Sequence, residues 1–325
     1  MKTLDPANRL LLRQLADGRF HSGEELGELL KLSRASISKR MAELRRLGLD
    51  IFSVKGKGYR LSKPLSLLDE EVLTASLGQE GNVSVFAEVS STNDVIKELG
   101  ARDGDLVIAE AQTAGRGRRG NTWHSPFGAH LYFSLQCRLD SNNAAVQGLS
   151  LVAGVVIARV LNEHCGDQIR LKWPNDLYAG GRKLGGILVE LAGQANGPVN
   201  AIIGVGINVN MPDEIGSQVD QPWTDLSRLT GANVDRTALM VACGKALREA
   251  MATFAREGLE AFVADWNRLD QFRGQAVVLK SENSEQRGIC CGIADDGALI
   301  LENGEGLHRI YGGELSMRSY DSTFG

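Results

Sequence analysis

The sequence predicts an α+β chain in three parts: a small basic helical module with a two-stranded wing, a mixed α/β body, and a short all-β tail. Three observations predict it. Residues 1–61 carry 13 Lys+Arg against 7 Asp+Glu, a balance of +6, whereas the rest carries 23 against 33, a balance of −10. Apolar runs of strand length alternate with helical periodicities from about residue 80 to residue 270. From about residue 272, short alternating runs separated by regular turn signals replace the helices. With 325 residues, 43% of them hydrophobic, the chain is long and apolar enough for two or three domains. The reading divides it into 1–63, 64–270 and 271–325.

The module comes first. In "FHSGEELGELLKLSRASISKRMAELRRLGLD", Ser22 caps a short helix with Glu25 at the capping-box position and Leu26, Leu29 and Leu30 on one face. Lys31-Leu32 form a tight turn, and Ser33 caps a second helix with an apolar stripe of Ile37, Met41, Leu44 and Leu47. The opposite face carries Arg34, Ser36, Lys39, Arg40, Arg45 and Arg46. Gly48 stops this helix, and "DIFSVKGKGYRL" alternates like a ribbon turning at Lys55-Gly56-Lys57-Gly58. A basic recognition-type helix followed by a basic hairpin makes a winged helix-turn-helix. Arg34, Ser36, Lys39 and Arg40 are the expected groove contacts, with Lys55 and Lys57 on phosphate. A basic helical hairpin used for protein contacts is the blander alternative. Turn, cap, basic face and wing agree on DNA. Lys63-Pro64 then reads as the linker.

In the body, "NVSVFAEV" and "DLVIAEAQ" read as strands, with "STNDVIKELGA" between them as a helix capped by Ser91 or Thr92. "HLYFSLQCRL" alternates as a strand, and "AAVQGLSLVAGVVIARVLNEHC" is a long buried helix. "IRLKWPNDLYAGGRKLGGILVELAG" reads as strand, loop, hairpin and strand; "VNAIIGVGINVN" is a further strand, and residues 237–269 are helical. The tail reads as a small SH3-like β-barrel. No uninterrupted run of 18 apolar residues occurs, and the N-terminus lacks a signal-peptide core, so a soluble cytoplasmic protein is expected. The five cysteines, Cys137, Cys165, Cys243, Cys290 and Cys291, form no C-x-x-C pair and read as reduced, buried or inert thiols. The five histidines are not at metal-ligand spacing.

The segment "GRGRRGNTWHSP" packs Gly115, Arg116, Gly117, Arg118, Arg119 and Gly120 into one loop. It satisfies G-x-G-x-x-G, but that fingerprint must open a helix, and Pro126 and a following strand pattern stand in the way. Asp140, 20 residues after Gly120, then matches a ribose acid only by coincidence. A P-loop fails on its lysine, since Asn121-Thr122 stand where Lys-Ser/Thr belongs. A third reading takes the arginines at face value: bare backbone approaches a ligand while guanidinium forks meet carboxylate or phosphate, with a solvated basic surface loop as the blander alternative. Three like charges repel, so the loop is expected to be disordered when empty and ordered around an anionic ligand. A second constellation lies in "KWPNDLY" and "GRKLGGILVE". Lys183 stands between Gly180-Gly181 and Gly185-Gly186, with Lys172, Asn175 and Asp176 just upstream; Asp176 could hold Mg²⁺ or a ribose hydroxyl. Gly204 and Gly206 share one strand face, which implies that a ligand or another backbone lies flat against it.

In order along the chain, "STN" (91–93), "AEAQTAGRGRRG" (109–120), "W-x-SPFG" (123–128), "KWPNDLY", "RKLGGILVE", "GVGINVN" and "GGELSMR" (312–318) resemble the bacterial bifunctional biotin–protein ligases that are also biotin-operon repressors, the BirA type. The resemblance covers essentially the whole chain. It implies that biotin and MgATP give biotinyl-5′-adenylate, whose biotin then passes to a lysine of the biotin carboxyl carrier protein of acetyl-CoA carboxylase. It also implies that an adenylate-bound homodimer presents two winged helices to operator DNA.

By that resemblance, Ser91, Thr92, Asn93, Gln112, Gly115, Arg116, Gly117 and Arg118 surround biotin and cover the adenylate. Gly186, Gly204 and Gly206 make its floor and wall, and Lys183 bridges the biotin carboxylate and the α-phosphate. Arg116, Arg118 and Lys183 carry the catalysis. Lys172, Asn175, Asp176, Asn208, Trp223 and Arg318 fall at the nucleotide, with Asp176 the metal contact. The chain departs from the family at Asn121-Thr122, where basic residues are usual, and at His130, where Asn is usual. Rival readings are a sensing repressor without catalysis, which has no need of both cationic loops, a lipoate or octanoate ligase on a related fold, and a nicotinamide-linked oxidoreductase.

Overall fold

A computed structural model describes residues 1–139, 144–192, 199–280, 285–311 and 316–319. The basic module contains one helix beyond those read from its pattern, α1 (Pro6–Leu15), with Pro6 at its start and Asp5 accepting from the Ala7 and Asn8 amides. Helix α2 (Gly23–Leu30) has the full capping box of Ser22 and Glu25, and Lys31 closes it in the left-handed conformation at φ 56°. Ser33 caps α3 (Arg34–Arg45) by accepting from the Ser36 amide. Ile37, Met41 and Leu44 are fully buried against Leu11, Leu12 and Leu15 of α1, which supplies the wall the stripe requires. Strands β1 (Ile51–Val54) and β2 (Gly58–Leu61) form the antiparallel wing. Its base is stitched to the start of α2, because His21 and Tyr59 exchange backbone bonds of 2.9 and 2.8 Å. Gly58, at φ 99°, is required there: a Cβ would lie 1.9 Å from the His21 carbonyl oxygen.

The body continues with α4 (Glu70–Leu77), β3 (Val83–Phe86), α5 (Thr92–Glu98), β4 (Leu106–Ala109), β5 (His130–Leu139) and α6 (Ala144–Cys165). Then follow β6 (Ile169–Lys172), β7 (Asp176–Ala179), β8 (Arg182–Ala192), β9 (Val199–Asn208), α7 (Asp213–Gly216), α8 (Leu226–Thr230), α9 (Arg236–Glu257) and α10 (Glu260–Leu269). One seven-stranded sheet runs β3-β4-β5-β9-β8-β7-β6, with β3 and β4 parallel and every other pair antiparallel. Helices α6 and α9 pack together over one face, burying Leu131, Phe133, Leu135, Ile203, Val205 and Ile207. Helix α5 covers part of the other face through Val95 and Ile96. Within α6, Gly148–Cys165 is long and apolar enough to cross a membrane by composition, but 72% of it is buried in this core.

The tail is a five-stranded antiparallel sheet of β10 (Ala276–Lys280), β11 (Glu285–Ile293), β12 (Leu299–Asn303), β13 (Gly306–Ile310) and β14 (Ser316–Ser319). Its order is β13-β12-β11-β10-β14, and among the described residues no pairing joins the two outer strands. Residues 312–315 of the "GGELSMR" motif lie outside the described residues. Cys137, Cys165, Cys243 and Cys290 are buried free thiols and Cys291 is half-buried; burial pushes the Cys137, Cys243 and Cys290 thiols up to about 12.

The module and the body share apolar packing, since Ala87, Ala111 and Phe127 belong to the same buried cluster as Leu11 and Leu61. Lys2 exchanges backbone bonds with Ala87 and Glu88. The connecting segment is held by a buried clasp. Arg236 (1% exposed) donates to Glu110 at 2.6 Å, to the Ser66 carbonyl at 2.8 Å and to the His130 carbonyl, while the Leu68 amide donates to Glu110 at 2.7 Å.

Candidate active site

The register of the large sheet builds the floor. Tyr132 on β5 pairs with Gly206 on β9, Gly206 with Gly186 on β8, Gly186 with Asp176 on β7, and Asp176 with Lys172 on β6. Paired residues lie on the same face, so an aromatic ring, two bare positions, a carboxylate and an ammonium form one row. The next row contains Ser134, Gly204 and Leu188.

Helix α5 lowers its N-terminus onto this floor. Ser91 is the N-cap residue but makes no side-chain cap bond. The Thr92 amide donates to Gln112 Oε1 at 2.9 Å, and the Ser134 hydroxyl lies 2.7 Å from Thr92 Oγ1 and 2.6 Å from Asn93 Oδ1. Gln112 donates onward to Ser125 Oγ at 3.0 Å. Gly115 is required where the loop folds back, because a Cβ would lie 2.5 Å from the Trp123 carbonyl oxygen and 2.7 Å from Ser125 Oγ. Within the chain itself, side chains rather than a backbone approach Gly204 and Gly206. A Cβ at Gly204 would meet Asn93 Oδ1 at 2.4 Å, and one at Gly206 would meet the Trp123 indole at 2.6 Å. The Trp123 Nε1 is buried without a hydrogen-bond partner among the described residues.

The glycine–arginine loop makes a narrow hairpin, with Arg116 bridged to Thr122 and the Gly117 amide donating to the Asn121 carbonyl at 2.8 Å. One turn of 3₁₀ helix (Arg118–Gly120) forms its tip, and no α-helix begins between it and β5, as the absence of a dinucleotide loop requires. The repulsion expected among the arginines is relieved within the chain at Arg116, while the Arg119 charge still acts on Arg118. Arg116 is paired with Asp94 and Glu190, whereas Arg118 donates to Asn175 Oδ1 at 3.3 Å and is drawn toward Asp176.

Lys183 reaches Asp176 Oδ1 at 2.9 Å and stands 5.7 Å above the Trp123 ring. Its backbone is pinned by bonds to Pro222 and Thr224, which brings Trp223 beside it. Lys172 donates to the Tyr178 hydroxyl at 3.0 Å; burial lowers its pKa, Asp176 opposes that, and the Arg318 charge adds to it. Arg118, Lys172 and Lys183 thus act around the Asp176 carboxylate, and the Arg318 charge is felt at Lys172. Asn175 is held by bonds to the Ile187 backbone, and Asn208 donates to the Thr224 carbonyl at 3.0 Å. Trp223 carries the Arg228 guanidinium 4.3 Å above its ring. A cleft beside Lys183 is lined by Thr122, Trp123, His124, Asn208, Met211 and Trp223. Among the described residues no three His, Cys, Asp or Glu side chains gather as a metal cage. His130 is fully buried, accepts from the Val209 amide, and is pushed down to about 3 by burial, so it stays neutral.

The sequence reading missed Trp123, Ser134, Asp94 and Glu190 as site residues. For Ser134 the signal was present, because His130, Tyr132, Ser134, Gln136 and Arg138 alternate with apolar residues along the strand. On the module, Arg34 and Lys39 are exposed on α3, and Lys55 and Lys57 are exposed at the wing tip. Arg40 turns inward, donating to Asp5 at 2.7 Å and to Asn8 at 2.9 Å, and the Ser36 hydroxyl lies 2.9 Å from that of Ser33. Arg60, which the sequence reading passed over, stacks on Phe20 and Phe52 at 4.9 and 5.4 Å.

Fold and site define an α/β domain that gathers cations beside a glycine floor, attached to a winged helix-turn-helix. Residues 8–60 match an HTH domain, residues 85–208 the biotin/lipoate A/B protein ligase family, and residues 272–318 the biotin protein ligase C terminal domain. The bifunctional ligase/repressor BirA of Escherichia coli (strain K12) is 46% identical, over 95% of this chain and 96% of its own. That of Bacillus subtilis (strain 168) is 32% identical, over 93% and 95%. The solved biotin protein ligase from Aquifex aeolicus in complex with biotin and ATP is 31% identical, with a TM-score of 0.65, over 74% of this chain and 99% of that one. The chain belongs to the biotin/lipoate A/B protein ligase family.

Proposed function

We infer that the protein is a biotin–protein ligase and a DNA-binding repressor of biotin synthesis genes, with residues 1–63 as reader, 64–270 as ligase domain and 271–325 as C-terminal domain. The observation that carries the ligase reading is the gathering of Arg118, Lys172 and Lys183 around Asp176 on the glycine row.

In the first step the biotin carboxylate attacks the α-phosphorus of MgATP, the bond to the bridging oxygen breaks, and pyrophosphate leaves. In the second, a lysine amine of the biotin carboxyl carrier protein attacks the adenylate carbonyl, AMP leaves, and an amide forms. Two anions must meet in the first step, so fixed cations lower their repulsion and stabilise the developing phosphoryl charge. A carboxylate nucleophile needs no general base, which agrees with a buried, neutral His130.

In this reading Ser91, Thr92, Asn93, Gln112, Gly115, Gly117, Gly186, Gly204 and Gly206 enclose biotin. Trp123 must leave Gly206 for the ring system to lie there. Lys172, Asn175, Asp176, Asn208, Trp223 and Arg318 surround the nucleotide. Mg²⁺ enters with ATP as part of the substrate, and among the described residues Asp176 is the carboxylate beside Lys183, consistent with a metal held mostly by phosphates. Arg34, Ser36, Lys39, Lys55 and Lys57 face operator DNA, bound as an adenylate-loaded homodimer in the cytoplasm, and Arg40 joins them only by leaving Asp5 and Asn8.

The test is mass spectrometry of the purified protein after incubation with MgATP and either biotin or lipoate. Retained biotinyl-adenylate is expected. An adenylate formed only with lipoate moves the chain to the lipoate branch of its family, and none with either acid removes the ligase reading.

A further inference from the structure

The motif Arg116-Gly-Arg118 invites the assumption that both arginines face the ligand. Their surroundings separate them. Arg116 Nη1 donates to Asp94 Oδ2 at 2.7 Å, and its Nη2 donates to Asp94 Oδ1 at 2.6 Å and to Glu190 Oε1 at 3.3 Å. This is an end-on fork on a carboxylate, the strongest geometry a guanidinium offers. Glu190 also receives Lys97 at 2.6 Å, so two anions and two cations form a neutral group. The fork's outer face is occupied, and Arg116 adds no net positive field toward the glycine row. Arg118, two residues on, reaches Asn175 beside Asp176 and Lys183.

The positions of the two acids explain the arrangement. Asp94 lies in the first turn of α5, two residues beyond Thr92, and Glu190 lies on β8, four residues beyond Gly186. One guanidinium thus joins the loop, the helix that closes the pocket at one end, and the strand that forms its floor. The Asp94 carboxyl is held below its ordinary pKa chiefly by the Arg116 hydrogen bond.

We propose that Asp94, with Glu190, is a positioning residue that ties the glycine–arginine loop down through Arg116, leaving Arg118 and Lys183 as the cations that face the reacting anions. The proposal rests on the ligase reading for its chemistry but not for its geometry.

Two measurements on the full chain test it. The first needs no ligand: the rate of tryptic cleavage at Arg118 and Arg119 in wild type, Asp94→Asn and Glu190→Gln. Releasing a half-exposed ion pair should speed cleavage about fivefold in Asp94→Asn. Equal rates overturn the tether. The second is the kinetics of adenylate formation and release in Asp94→Asn, Arg116→Met, the double variant and the charge swap Asp94→Arg/Arg116→Asp. Each single variant should raise KM for biotin and speed adenylate release about fivefold with kcat little changed. The double variant should be no worse than either single, and the swap should recover most of the loss. A tenfold or larger fall in kcat for Arg116→Met, with Asp94→Asn unaffected, overturns the proposal by placing Arg116 on the reacting phosphate. If wild type forms no adenylate, the ligase reading fails, and the cleavage rates still decide the tether.

Discussion

Lys183→Ala is the perturbation that bears most directly on the proposed chemistry. The Lys183 ammonium sits 2.9 Å from Asp176, the two side chains are 18% and 15% exposed, and its backbone is fixed on both sides by Pro222 and Thr224. A unit charge about 4 Å from a developing phosphoryl charge, at an effective dielectric constant of about 20, contributes ~4 kcal/mol. Removal of one preorganised electrostatic donor typically costs ~2.7–4 kcal/mol, or ~10²–10³ in kcat. Truncation also leaves Asp176 without its nearest cation, adding repulsion toward the incoming phosphates. The assay is rapid-quench measurement of adenylate formation at saturating biotin and MgATP, with a thermal melt as a control for folding. A kcat within threefold of wild type would show that Lys183 does not act on the transition state, and the charge-convergence argument would fail with it.

Other expected outcomes concern the frame and the reader. Glu110→Ala strands the buried Arg236 charge and should destabilise the chain by about 3–5 kcal/mol, read from the denaturant midpoint and slope; a loss below about 1 kcal/mol would mean that water repairs the clasp. His130, at about 3 in the folded chain and near 6.5 when unfolded, binds its proton first in the unfolded state. Its contribution is therefore complete above about pH 6.5 and is lost as the pH falls toward 3, by at most about 1.4 kcal/mol per pH unit. Tm measured from pH 8 to pH 5 should fall less steeply in His130→Asn, and identical slopes would argue against the buried neutral ring. Lys55→Ala should weaken binding to all DNA sequences alike and lower the salt slope by about 1; a change confined to one sequence would put Lys55 on a base.

The parts legible in the sequence were those written in local chemistry. The capping box of Ser22 and Glu25, the Ser33 cap and the turn at Lys31 lie within a few residues of what they control, and each was found in place. The same holds for the loop after Gly120, where Pro126 and the alternation of "HLYFSLQCRL" required a strand in place of a helix. Contacts between distant segments left no local trace. Arg116 and Asp94 are 22 residues apart, and Arg236 and Glu110 are 126 apart. Arg40 fits a DNA-facing stripe by periodicity, yet α1 offers it Asp5 and Asn8. Gly204 and Gly206 did announce a close approach, but only the order β5-β9-β8, together with the paths of α5 and the loop, decides that Asn93 and Trp123 make it.

The winged helix does not hang on a thread. It is joined to the body at two separated points, the clasped segment around Ser66 and the backbone exchange of Lys2 with Ala87 and Glu88, with shared apolar packing between them. Two anchorages remove most of the swivel that a single linker allows. In the proposed dimer the distance between the two reading heads is then set by rigid protein rather than by slack chain, and little orientational entropy remains to be lost on docking. Such a caliper grips an operator whose halves match its gap, and a few extra base pairs between them leave one head off its groove.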